Sequence, residues 1–179
     1  MAVVTGNLNI NAAFNQAVSS GVVAAYSVPA SLSMSPSFSN GTGSGAVDLC
    51  YAKQLSLAGS ATTLDLTSVT DLSGASISFA RVRLIIIQNL ATTAAYTVTV
   101  GAAASNQWTG FLGTTTSTVV LQPNVGATAA QSIFLGLDLY STGASTGAYV
   151  DATHKSLKID PGANTISVNV LIVGCSAAS

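Results

Sequence analysis

ARVRLIIIQNLATTAAYTVTVG, residues 80–101, is the stretch on which the reading of the fold turns. Ala80, Val82, Leu84 and Ile86 alternate with Arg81, Arg83, Ile85 and Ile87, and Tyr96, Val98 and Val100 alternate with Thr97 and Thr99. Successive side chains of a strand point to opposite faces, so the spacing predicts two strands and a short polar turn, a hairpin with one fully apolar face. Residues 165–173 repeat the pattern: Ile166, Val168, Val170 and Ile172 share a face, and the other runs from Ser167 and Asn169 to Leu171 and Val173. In both stretches the second face turns apolar in its later half, where a solvated face would stay polar. Cover is therefore expected over Ile85, Ile87, Leu171 and Val173, at roughly 1.5–3 kcal/mol each. Another segment of the chain or a second subunit would supply it.

Upstream, Val47, Leu49, Tyr51, Leu55 and Leu57 fall on one face of an expected strand that Lys53 interrupts, and Leu64 and Leu66 mark a short one. Asp71-Leu72-Ser73-Gly74 reads as a turn, and a bulge near Ala80 would return Ile77 and Phe79 to the core side. Downstream come a loop at 102–113 with the single Trp, Trp108, and Phe111, then strands near 117–121, 132–140 and 157–159. Turns are expected at Pro123-Asn124, 141–147 and 160–164. Roughly eight or nine strands at this spacing predict an all-β chain, an antiparallel β-sandwich that is jelly-roll-like. Residues 1–45 differ from the body at 46–179. They hold weak strand signals at 22–28 and 32–34, the one weak helical candidate at 9–18, and a Gly/Ser-rich hinge at 35–45. They read either as an arm lying on a neighbour or as a first strand pair followed by a long loop.

Only 6% of the residues are charged, none is Glu, and the net charge is −1. There is no basic field to attract nucleic acid, and 49% hydrophobic residues argue against disorder. So uncharged a surface has little to keep copies apart, and much of it is expected to lie against other protein. No run reaches the roughly 18 apolar residues of a membrane helix, and the start lacks the pattern of a secretory signal, so no membrane partner is expected and assembly in the cytoplasm is. Cys50 and Cys175 match no metal or redox spacing and read as reduced, with a bridge as the alternative.

Reactive constellations are equally sparse. Asp65 and Asp71 sit where turns and strand edges place Asp, His154 is a lone exposed histidine, and no nucleophile elbow occurs. The glycines of 41–45 lack the lysine of a phosphate loop. Trp108 fills a core or a subunit contact, or stacks on a sugar. Arg81 and Arg83 pair with Asp groups or line an interface. No enzyme activity, cofactor or metal is expected.

Leu64-Asp65-Leu66, the turn at Gly74, Phe79 to Arg83, Asn89, Thr97 to Val100, Gly101 and Asn106 to Trp108 together resemble a group of tailed-bacteriophage accessory virion proteins. Phe38 to Gly43, Asp48-Leu49 and Val173-Gly174 extend the resemblance over residues 36–174. It implies a β-sandwich that trimerises on the outside of the head as a capsid decoration, or cement, protein, with the major capsid protein as partner. Arg81, Arg83, Ile85, Ile87, Leu171, Val173 and Trp108 are then the candidate subunit interface. Leu8, Ile10, Phe14, Val22, Val23 and Tyr26 form the candidate capsid-binding arm. The rival readings are a neck, tail or fibre-base component of the virion, and a carbohydrate- or host-binding module centred on Trp108.

Overall fold

The computed structural model describes residues 4–20, 23–123, 125, 133–138, 141 and 148–177. Its strands are β1 (Gly6–Asn7), β2 (Ile10–Ser20), β3 (Val23–Met34), β4 (Ser37–Asn40), β5 (Ala46–Val47), β6 (Leu49–Ala58), β7 (Thr62–Asp65) and β8 (Val69–Thr70). They continue with β9 (Ser76–Ile77), β10 (Arg81–Asn89), β11 (Val98–Gly101), β12 (Thr118–Leu121), β13 (Ile133–Leu137), β14 (Ser156–Asp160) and β15 (Thr165–Cys175). Val22 of the candidate arm, Asn124 and the turn expected at 142–147 lie outside the described residues.

Two four-stranded antiparallel sheets, ordered β13-β10-β15-β6 and β12-β11-β14-β7, make an all-β sandwich. Ile85, Ile87, Val168, Val170 and Ile172 of the first sheet meet Val98, Val100, Leu121, Leu157 and Ile159 of the second in one buried core. The alternation seen in residues 165–173 is what builds it, because every second residue of β15 faces inward.

The central stretch folds differently from the expected hairpin. β10 lies in one sheet and β11 in the other, so residues 90–97 carry the chain across the sandwich. Buried Asn89 fixes this corner: its Nδ2 donates to Tyr96 O (2.9 Å) and Leu121 O (3.1 Å), and its Oδ1 accepts from Ala91 N (2.9 Å). The bulge falls between Val82 and Leu84 instead of near Ala80. It turns Val82 into the core beside Ile85 and Ile87 and leaves Leu84 and Ile86 on the outer face.

The weak helical candidate at 9–18 is strand from Ile10 onward: β2 pairs with β3 from Ile10–Met34 to Ser20–Val23 in a two-stranded sheet of its own. Residues 37–40 of the expected Gly/Ser hinge form β4, which pairs antiparallel to β1 and parallel to β5.

Candidate interaction face and the arm beside it

The outer face of the β13-β10-β15-β6 sheet is arranged in rows by strand register. The first row, Leu137, Leu84, Val173 and Cys50, lies beneath Phe38 and Val47, with Val4 and Leu8 packed alongside. Residues 4–8 are strapped down there: Leu8 N donates to Pro36 O (3.1 Å) and Val4 N to Asn40 Oδ1 (3.1 Å). The chain thus covers one end of its own face. The second row, Leu135, Ile86, Leu171 and Ala52, is only half covered, and Leu135 stays 41% exposed. In the third row Ile133, 50% exposed, stands beside Gln88, Asn169 and Gln54. Those three amides form a ladder across three strands: Gln54 Nε2 donates to Asn169 Oδ1 (3.2 Å) and Asn169 Nδ2 to Gln88 Oε1 (3.0 Å). A groove of about 390 Å³ runs over the second and third rows, lined by Ile86, Leu171, Gln88 and Asn169 among others.

These positions correct the candidate interface. Ile85, Ile87 and Trp108 are fully buried in the chain's own core, and Arg81 and Arg83 are fully buried too, so none presents a surface to a second copy. Val173 is covered by the chain itself, and of the set only Leu171 stays partly open. The apolar pair that β10 contributes to the outer face is Leu84 and Ile86 instead of Ile85 and Ile87, because the bulge shifts the alternation.

Beyond the strap the chain enters the β2–β3 hairpin. The register sets Ile10 opposite Met34, Ala12 opposite Leu32, Phe14 opposite Ala30, Gln16 opposite Val28 and Val18 opposite Tyr26. By strand alternation these residues share one face, apolar but for Gln16. The intervening pairs, Asn11 with Ser33, Ala13 with Ser31, Asn15 with Pro29 and Ala17 with Ser27, fall on the other. No residue of 1–47 is charged. Met34, at the base, is 40% exposed. Of the candidate arm, Leu8 belongs to the strap, Ile10, Phe14 and Tyr26 fall on the apolar face, and Val23 pairs with Ser20 past a register shift.

The two buried arginines converge on Asp138, each with Nη1 at 3.9 Å from a carboxylate oxygen. Arg81 Nη1 donates to Ser141 Oγ (2.9 Å), Arg83 Nη1 to Ser141 O (2.9 Å) and Arg83 Nη2 to Gly43 O (3.4 Å). The Asp138 carboxylate accepts from Ser141 N (3.1 Å), Ser141 Oγ and Ala148 N (3.1 Å). Burial alone would raise the pKa of Asp138; the hydrogen bonds from Ser141 and Ala148 and the charge of Arg83 outweigh it and hold the group below its ordinary value. The cluster ties the start of β10 to the end of β13 and to the 41–45 turn.

Trp108 is buried, its Nε1 donating to Tyr149 O (2.9 Å) and its ring edge-on to Phe111 at 5.5 Å. It offers no open platform to a sugar. Phe111 in turn occupies the space beside Gly136 on the inner side of β13, where a Cβ would run into its ring.

The remaining polar groups hold turns. Asp151 Oδ1 accepts from Thr153 N (2.7 Å), Thr153 Oγ1 (2.8 Å) and His154 N (2.7 Å), with His154 Nδ1 at 3.1 Å. Desolvation works against the Asp151 carboxylate, but these bonds prevail and bring its pKa down to about 2. Asp65 is occupied by Thr67 and Lys155 (Nζ to Oδ2, 2.7 Å), and Asp71 caps its own turn through Ser73 and Ala75. Among the described residues no three His, Cys, Asp or Glu groups stand close enough to hold a metal. Nor, among them, is any helix long and apolar enough to cross a membrane. Cys50 and Cys175 are free thiols, both pushed up in pKa first of all by burial. A cleft of about 690 Å³ between the 40–42 turn, Leu49, Cys50 and the 71–73 turn is lined in part by Leu72, 75% exposed.

Compared with protein-family models, with characterised proteins and with solved structures, the chain matches none.

Proposed function

We propose that this chain is a structural component of a bacteriophage virion, a decoration protein that binds the lattice of the major capsid protein as a homotrimer and stabilises the head without turnover. One observation carries the reading: a half-covered apolar sheet face occurs in one chain with an uncharged hairpin whose two strands, among the described residues, pair only with each other. Such a pair of surfaces suits a protein whose work is to be covered by other protein. Numbered by order along the chain, the eight sandwich strands run 6-3-8-1 in one sheet and 5-4-7-2 in the other. We read that order as a jelly roll, an architecture that viral capsid domains use, and this supports the reading by fold analogy alone. The mechanism is burial, at about 25 cal/mol for each Å² of apolar surface removed from water.

Cryo-electron microscopy of the assembled particle tests it. The expected result is density for the sandwich at regularly repeated sites on the outer head. Density confined to the neck, tail or fibre base would replace decoration with another virion role, and absence from the particle would overturn both.

A further inference from the structure

We infer that the turn Asp71-Leu72-Ser73-Gly74 of one copy seats in the groove of a second copy, Leu72 on Ile86 and Leu171 and Asp71 beside Lys53. The inference rests on the self-assembly in the reading above and not on the virion. It starts from the few charges the chain has. Among the described residues Asp65 pairs with Lys155, Asp160 with Lys158, Asp151 with His154, and Asp138 with both arginines. Asp48, Asp71 and Lys53 are left without a side chain of opposite charge beside them. These three are sorted by sign. Both carboxylates line the cleft of about 690 Å³, and Lys53, exposed on the edge strand β6, lines the groove of about 390 Å³. One concave surface carries the unpaired negative charge and another the unpaired positive, which is the complementarity that selects a partner and its orientation.

The turn is ordered before any partner arrives. Val69 pairs with Ile77 and Thr70 with Ser76 at its root, and Val69 is buried in the core. Asp71 Oδ1 accepts from Ser73 N (2.8 Å), Ser73 Oγ (2.7 Å) and Ala75 N (2.9 Å), and Gly74 closes the loop at a φ of 87°. Leu72 is thereby held out in water without the ordering cost that a loose loop would carry into the contact. A single exposed leucine is common; here it stands beside the unpaired carboxylate, as Ile86 and Leu171 stand in one groove with the unpaired ammonium. Within one copy the two surfaces are apart. Cleft and groove share no lining residue, and the strapped first row lies between them, since the cavity under the strap touches Val4 and Cys50 of the cleft and Ile86 and Leu171 of the groove. Each copy can therefore give its turn to one neighbour and take the turn of another, a head-to-tail contact able to close into a ring. The charge pair sets register more than strength, and burial of Leu72 supplies the gain.

Disulfide trapping in the full-length chain tests the contact. In a Cys50→Ser background, one chain carries Leu72→Cys and a second, distinguishable by tag, carries Ala52→Cys in the groove; the two are mixed and oxidised. Cross-links between the two tags are expected, and none when Val120→Cys, 50% exposed in the other sheet, replaces Ala52→Cys. In otherwise unmodified chains, Leu72→Ser is expected to weaken self-association about tenfold or more, with Leu72→Ala in its place should that variant not fold. Lys53→Gln and Asp71→Asn, which keeps the Oδ1 acceptor of the turn, are each expected to weaken it about threefold. Combined, they should cost no more than either alone. No link between tags, an equal link to Val120→Cys, self-association indifferent to Leu72, or additive losses from the charge pair would each overturn the inference. A cross-linked assembly absent from the virion would leave the inference standing and sink the proposed function. A head-bound assembly without the cross-link would do the reverse.

Discussion

Asp138 balances two guanidinium groups that the sandwich has taken out of water. Removing its charge leaves Arg81 and Arg83 buried against a neutral amide, so Asp138→Asn is expected to cost about 3 kcal/mol, read as a lower midpoint in urea. An unchanged midpoint would mean that the arginines draw their support from groups other than the Asp138 carboxylate. Acid acts on the same class of group. Asp65, Asp71, Asp138, Asp151 and Asp160 all have folded pKa values below the ordinary 3.8. A depressed carboxylate gives stability that is present above its unfolded pKa and lost as pH falls through its folded one, because the unfolded chain then binds more protons. The melting temperature is expected to be flat above about pH 5 and to fall between about pH 4 and pH 2. A chain equally stable at both ends of that window would contradict the assigned hydrogen bonds. The sequence allowed Arg81 and Arg83 to pair with Asp, but which Asp was not legible, since Asp138 lies far along the chain and alternation assigns it only a face. Asn89 was legible as the end of a strand and no more, because its partners Tyr96 and Leu121 meet it only after the chain has crossed between sheets.

The strands themselves were largely written in their alternation, and β15 follows it residue by residue. What alternation does not contain is the partner. Two strands in series read alike whether they pair with each other or lie in opposite sheets. The length of 90–97 was the available signal, being longer than the 2–5 residues of a usual hairpin loop. The bulge between Val82 and Leu84 was out of reach for a related reason: a one-residue slip is set by the neighbouring strand and reverses every face beyond it. Gly136 is a further case, since in sequence it is one small residue among leucines. In the fold, an added Cβ would press on the Phe111 ring and come within 2.9 Å of Ile85 Cγ2. Gly136→Val is therefore expected to destabilise by about 1–3 kcal/mol through overpacking, measured by denaturant titration. The double variant with Phe111→Ala should recover part of the loss. No recovery would separate Gly136 from Phe111.

At the scale of the molecule, composition said that the surface is short of charge, and the fold says where that matters. The strap of residues 4–8 hides the first row of the outer face, and the uncharged hairpin that follows it pairs, among the described residues, only within itself. Placing the cover was beyond the sequence, because the strap, the first row and the hairpin become neighbours only through long-range pairing. The central claim is that the 17.8 kDa chain does not stand alone in water. Sedimentation equilibrium of the purified full-length chain, over roughly a hundredfold range of concentration, tests this most directly. A trimer or a larger assembly that persists on dilution is the result expected. A monodisperse 17.8 kDa species throughout would contradict it.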